Sequence, residues 1–224
     1  MLAVAGGKGG VGKTTTTLCL AEALARIEGR AVAVDADREM PDLARAAGLE
    51  DGTREAPRGD VAAIAEGRSP GEAGRPLPSN PRVTVVSTRR CSAATLRRAL
   101  SAMLEADAPV LVDCPAGAGR DAALPLRCAE RALVVSTPTP ASLRDAAKTV
   151  AMAEALGTPV VGAAVTRCDG VPETASRLLT CPIRARIPPA TSPRSNRGVR
   201  AAYAGLAERF ISLNTNQNSY TYTD

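Results

Sequence analysis

The sequence predicts an α/β fold: a mostly parallel sheet of about seven strands with helices on both faces. Three observations carry that expectation. Short apolar runs alternate with helical segments along most of the 224 residues. A glycine-rich stretch, Gly7–Thr15, joins the first apolar run directly to the first helical one. The chain is 45% hydrophobic but only 2% aromatic, with Tyr203, Phe210, Tyr220 and Tyr222 its only aromatics, so the core must be built from Ala, Val and Leu at close backbone approach.

Leu2–Ala5 is the first strand, and Lys13–Glu28 follows as a helix closed by Gly29. Ala31–Val34 is the second strand. The rhythm then breaks over Gly48–Pro81, where six Gly and five Pro among 34 residues read as a surface excursion outside the core, with one short helix at Val61–Glu66 behind an Asp60 cap. Strands at Val83–Ser87, Val110–Val112, Ala132–Ser136, Pro159–Val165 and Ile183–Ile187 alternate with helices at Ala93–Ala106 and Ser142–Leu156. The second of these opens on Ser142 with Asp145 three residues on, a weak capping-box pattern. A last helix over Asn196–Ser212 carries Val199, Tyr203, Leu206 and Phe210 at helical spacing, a stripe suited to packing on the sheet. Residues 1–213 thus form a single domain, and the polar Asn214–Asp224 is expected to be a disordered tail.

Composition removes several function classes. There is no histidine, which excludes Ser-His, Cys-His and His-metal chemistry. So few aromatics leave no stacking platform for single-stranded nucleic acid. Net charge is +5 with a pI near 9.1, which permits phosphate-bearing partners without requiring them. Among 28 cations only Lys8, Lys13 and Lys148 are lysine. The six cysteines form no C-x-x-C pair, so free thiols in a reducing cytoplasm are expected rather than a metal site. No leader and no membrane-spanning stretch is read, and a cytoplasmic protein is expected.

The decisive segment is Gly7-Lys8-Gly9-Gly10-Val11-Gly12-Lys13-Thr14-Thr15, which fits G-x-x-x-x-G-K-[ST] between a strand and a helix. Its glycines let the backbone N–H groups of the loop turn toward a β-phosphate. The helix starting near Lys13 adds its positive end, Lys13 a point charge for the β- and γ-phosphates, and Thr14 a hydroxyl for Mg²⁺. Lys8, at the mouth of the loop, is not needed to hold phosphate within one subunit.

K-G-G-x-G-K-T-T resembles the deviant Walker A sequence of the MinD/ParA class of P-loop ATPases, closer to the MinD-like members. The resemblance spans about Met1–Leu213 and implies ATP and Mg²⁺ as ligands. It also implies that Lys8 reaches the nucleotide of a facing copy, so that ATP holds a homodimer together. Val34-Asp35-Ala36-Asp37 sits where the family has its switch I D-x-D; by that likeness Asp37 positions the attacking water and Asp35 supports Mg²⁺. Period-two strand geometry would point both carboxylates the same way. Asp113-Cys114-Pro115-Ala116-Gly117 looks like the Walker B and switch II segment, with Asp113 at the metal and the Gly117 N–H near the γ-phosphate. Thr166-Arg167 falls where relatives have an Asn-[Arg/Lys] pair that reads adenine, and threonine cannot bind a base edge in two places. Pro188, in Ile187-Pro188, matches a residue lining the adenine pocket.

Within the wider group, iron–sulfur carriers need positioned cysteine pairs and amidotransferases a Cys-His pair, neither of which is read here. Bacterial tyrosine kinases share the D-x-D strand and end in a tyrosine-rich tail, for which Tyr220 and Tyr222 are a thin match. The expected partners are a second copy, an activator or cargo protein and, weakly, DNA. The stretch Thr174–Ala207 holds no acid and six arginines, Arg177, Arg184, Arg186, Arg194, Arg197 and Arg200, although solvated arginines are the simpler reading. The polar C-terminal segment does not support membrane binding.

Overall fold

The computed structural model describes residues 1–49, 60–88, 91–170 and 173–218. Among these residues eight strands form one sheet: β1 (Leu2–Ala5), β2 (Ala31–Asp35), β3 (Arg75–Leu77), β4 (Asn80–Val86), β5 (Val110–Asp113), β6 (Arg131–Ser136), β7 (Val160–Thr166) and β8 (Ile183–Ile187). Their order is β3-β4-β2-β5-β1-β6-β7-β8, parallel throughout except for β3, which runs antiparallel to β4. The helices are α1 (Lys13–Ile27), α2 (Leu43–Ala46), α3 (Val61–Ala65), α4 (Pro70–Ala73), α5 (Ala93–Ala102), α6 (Arg120–Cys128), α7 (Pro140–Ala155), α8 (Glu173–Leu179) and α9 (Arg197–Asn218).

Strand alternation divides the core between the two faces. Leu2 and Val4 of β1 pack with Leu18, Leu24, Tyr203 and Leu206 of α1 and α9, while Ala3 and Ala5 face Leu126 of α6 and Ala153 of α7. Alanine on that second side lets two helices approach the central strand closely. Tyr203 is 1% exposed, and its hydroxyl is satisfied by Thr16 Oγ1 at 2.8 Å. Each parallel crossover delivers its loop to the carboxyl edge of the sheet, and β1 sits where the order turns from β5 to β6. That is the place where open α/β sheets bind ligands.

The structure corrects the sequence reading in four places. From Val61 onward the excursion Gly48–Pro81 contributes to the core: Val61, Ile64, Ala73 and Leu77 are all buried, and β3 forms the sheet's edge. A three-residue strand with Pro76 in its middle carries little signal, and proline belongs at such an edge. Helix α7 is capped by Thr139, not Ser142; the Ser142 hydroxyl is buried against Ser136 Oγ at 2.9 Å and accepts from the Thr137 N–H. Helices α2, α4, α6 and α8 went unread, α6 because Pro125 lies inside it. Helix α9 continues to Asn218, into the segment expected to be disordered, since a helix anchored by Val199, Tyr203 and Leu206 extends cheaply. Tyr220 and Tyr222 lie outside the described residues.

Candidate functional site

The loop between β1 and α1 is held by contacts that only particular residues permit. Gly12, the N-cap of α1, has φ 97°, a left-handed conformation that favours glycine. At Gly7, a Cβ would come within 2.3 Å of the Asp145 carbonyl oxygen on α7, so the loop can approach that helix only without a side chain. Beside Gly9 and Gly10 a Cβ would meet nothing within 4 Å, which leaves the cradle open. No side chain caps α1, and its first turn has no acid. Its leading N–H groups and dipole therefore remain available to an anion.

The two loop lysines differ sharply. Lys13 is 9% exposed, its Nζ turned back toward the Lys8 carbonyl at 3.5 Å, whereas the Lys8 side chain is exposed. Val11 is buried, and Thr14 and Thr15 are half-buried at the start of α1.

Strand register brings Asp35 and Asp113 opposite each other at the carboxyl edge, with Val4 of β1 paired to Asp113 on its other side. Burial pushes each carboxyl up to about 7; backbone hydrogen bonds from Asp37 and Leu43 oppose this for Asp35, and the Thr14 hydroxyl and Lys13 oppose it for Asp113. Asp113 Oδ1 is buried with no hydrogen-bond partner. Asp35 is differently placed: Oδ1 accepts from the Asp37 N–H at 2.9 Å and Oδ2 from the Leu43 N–H at 3.0 Å. It braces the loop after β2. The expectation that Asp35 and Asp37 share an orientation fails because the strand ends at Asp35. Asp37 lies in a turn of its own, where Oδ1 accepts from the Glu39 N–H at 3.1 Å and the Met40 N–H at 2.9 Å.

Two residues of this region went unread in the sequence. Asp42 precedes α2 in the N-cap position but makes no cap; its Oδ1 accepts from Thr14 Oγ1 at 3.2 Å. An Asp placed before a short helix looks like a cap, and nothing local reveals that its partner is 28 residues away. Arg38 donates to the Cys91 carbonyl at 3.2 Å and forms an ion pair with Asp121 at the start of α6, so one guanidinium joins the loops after β2, β4 and β5.

The remaining expected residues are dispersed. Gly117 has φ 95° in the loop after β5. Thr166 is 5% exposed, and its hydroxyl is directed to the Val11 carbonyl at 2.7 Å and the Ser136 carbonyl at 3.2 Å. It supports the phosphate loop from below, and its proton is committed there rather than to a base. Arg167 beside it is exposed at φ 55°. Pro188 is half-buried against the start of α9, where a Cβ on Gly198 would lie 3.6 Å from its Cγ.

The arginine footprint also changes. Arg194 donates to Glu22 Oε1 at 2.9 Å, Ser79 Oγ at 2.6 Å and the Ala46 carbonyl at 3.0 Å, tying α1, α2 and the β3–β4 turn together. Arg184 donates to the Val161 carbonyl. Arg177, Arg186, Arg197 and Arg200 are exposed. All six cysteines are free, with burial pushing the Cys19 thiol up to about 12 and Cys114 higher still. Among the described residues no three His, Cys, Asp or Glu are grouped to hold a metal by themselves, and no helix is long and apolar enough to cross a membrane.

The family model ParA, described as NUBPL iron-transfer P-loop NTPase, matches residues 1–166. The chain is 34% identical over 172 residues to an uncharacterized ATP-binding protein of Methanocaldococcus jannaschii, a match covering 74% of this chain and 63% of that protein. It is 31% identical over 166 residues to the septum site-determining protein MinD of Synechocystis sp., covering 69% of this chain and 59% of that protein. The chain thus spans about three fifths of the length of these curated relatives. The solved structure of septum site-determining protein MinD from Pyrococcus horikoshii, complexed with Mg-ADP, shares the fold at TM-score 0.80 and 23% identity, covering 96% of this chain and 97% of that one. With 166 of 224 residues inside the family match and the loop set at the sheet's switch point, the chain belongs to the MinD/ParA family of P-loop ATPases.

Proposed function

We propose that this chain is a slow ATPase working as an ATP-gated dimerising switch, which hydrolyses ATP to ADP and phosphate and uses the cycle to position a cellular cargo. The division site, a plasmid or chromosome, or another assembly are the cargo classes the reading admits. The observation that carries it is the opposite placement of two lysines five residues apart: Lys13 turns into the loop, and Lys8 stands exposed at its mouth. Lys13 suffices for the phosphates of its own subunit, so the outer ammonium suits a nucleotide held by a facing copy. Six unpaired cysteines fit a reducing cytoplasm. The iron transfer named in the family description has no thiol pair to support it among these residues.

In this reading the uncapped N–H groups of α1 and the Lys13 ammonium hold the phosphates, and Asp37 orients the attacking water. The buried, unpartnered Asp113 Oδ1 and the adjacent Thr14 hydroxyl are hard oxygen donors of the kind Mg²⁺ takes, so these two residues would hold it. When bound, Mg²⁺ supplies neutralising charge to the phosphate oxygens. Light scattering should show a monomer without nucleotide or with ADP and a dimer with ATP and Mg²⁺. Lys8→Ala should weaken the dimer and hydrolysis while leaving ADP binding by the monomer intact. One mass in every nucleotide state would remove the switch.

Weak, nonspecific DNA binding by the dimer is part of the same proposal, carried by exposed Arg186, Arg197 and Arg200 rather than by Arg194. Counterion release makes such binding fall steeply with salt. Changing these three to Glu should abolish retention on arbitrary duplex DNA at low salt and leave ATPase activity unchanged. Retention equal to wild type would place the partner surface elsewhere.

A further inference from the structure

We propose that Asp42, rather than Asp35, is the switch I acid at the divalent cation, and that it enables the protein to bind that cation before nucleotide arrives. The inference rests on the ATPase reading above and adds a cation-holding residue and an order of loading to it. The Thr14 hydroxyl donates to Asp42 Oδ1 at 3.2 Å and is close enough to the Asp113 carboxyl to oppose the rise that burial imposes on it. A hydroxyl that gives its one proton to a carboxylate keeps its lone pairs for a cation. Asp113 is 4% exposed, and its Oδ1 has no hydrogen-bond partner among the described residues.

Asp35 turns both its oxygens to backbone amides, the Asp37 and Leu43 N–H groups, which fix it in the loop, whereas the contacts of Asp42 are to the side chains of Thr14 and Arg45. The effect of Asp35 is to hold residue 43, and hence Asp42 beside it, against Thr14. Charge gives a second argument. Asp35, Asp42 and Asp113 repel one another, and Lys13 is the one cation acting on Asp113. A divalent cation would relieve this crowding of like charge. The competing contact is Arg45, whose guanidinium is 3.6 Å from Asp42 Oδ2 and whose side chain is 83% exposed, so its hold on Asp42 is weak. All-oxygen donors select Mg²⁺ or Mn²⁺ over softer metals.

The test is titration of the nucleotide-free protein with Mn²⁺, followed by electron paramagnetic resonance and with Mg²⁺ as competitor. Wild type should bind one Mn²⁺, displaced by Mg²⁺, and Asp42→Asn should bind it at least about 10-fold more weakly, the scale of one lost charged ligand. Asparagine still offers Thr14 an acceptor, so the melting temperature of Asp42→Asn should confirm an intact fold. Arg45→Ala removes the competing cation and should tighten Mn²⁺ binding. Wild-type affinity in Asp42→Asn, with loss only in Asp113→Asn, would overturn the assignment while leaving the nucleotide reading standing. If wild type bound Mn²⁺ only together with ADP, the loading order would fall; if it bound Mn²⁺ in neither state, the cation part of the ATPase reading would fall with it.

Discussion

Lys13→Ala should lose ADP and ATP binding by at least about 100-fold, roughly 2.7 kcal/mol, measured by titration calorimetry. The size follows from position. Lys13 is 9% exposed in an open cradle whose other donors are backbone N–H groups, so its ammonium is the loop's inward-turned full charge. Lys8 is exposed and cannot take over within one subunit. The variant has a second consequence that separates binding from folding. The Asp113 carboxyl is raised by burial to about 7 and Lys13 opposes that rise. A carboxyl whose folded pKa exceeds its unfolded value of about 4 stabilises the fold most at low pH, and that benefit is lost as pH rises through the folded pKa. Without Lys13 the ionised form costs more, so the nucleotide-free variant should melt further below wild type at pH 8 than at pH 5.5. Unchanged nucleotide affinity in Lys13→Ala would displace the phosphate site from this loop.

What could be read in the sequence and what could not divide along one physical line. Gly7–Thr14 is legible as a loop of this family because its pattern is contiguous: the glycines, the lysine and the threonine lie close together in sequence, between a strand and a helix whose periodicities are strong. Asp113 is legible for a related reason, as an acid ending an apolar strand. The contacts of Asp35 and Asp42 are not, because they depend on where the chain turns after β2. Ending the strand at Asp35 turns its carboxylate to the amides of the following loop and leaves Asp42 to meet Thr14 across 28 residues. Thr166 and Arg194 show the same limit. Each has a residue type that suits a ligand or a DNA backbone, yet Thr166 spends its proton on Val11 and Ser136, and Arg194 spends its guanidinium on Glu22, Ser79 and Ala46. Compensation of this kind is set by tertiary contact and leaves no mark on composition or spacing.

Asp37 provides the sharpest test of chemistry against scaffold, because its two oxygens are unequally used. Oδ1 holds the turn through the Glu39 and Met40 N–H groups, and Oδ2 has no hydrogen-bond partner among the described residues. Asp37→Ala removes both functions at once. Asp37→Asn keeps an amide oxygen for the turn and removes only the negative charge that would orient and polarise water. Both variants should bind ATP, and both should hydrolyse it at least about 10-fold more slowly, the scale of a lost water-orienting group. If the turn were what mattered, Asp37→Asn would retain wild-type turnover and Asp37→Ala alone would fail. If the carboxylate acts on water, the two should fail alike in single-turnover hydrolysis, and Asp37→Asn should keep the wild-type hydrogen-exchange protection of the Glu39 and Met40 amides. With hydrolysis blocked and the loop intact, Asp37→Asn in ATP and Mg²⁺ should also persist as the dimer. That makes it the better bait for the proposed cargo: a protein retained by it in ATP and released in ADP would fit the proposed switch, whereas equal retention in both states would uncouple that partner from the nucleotide.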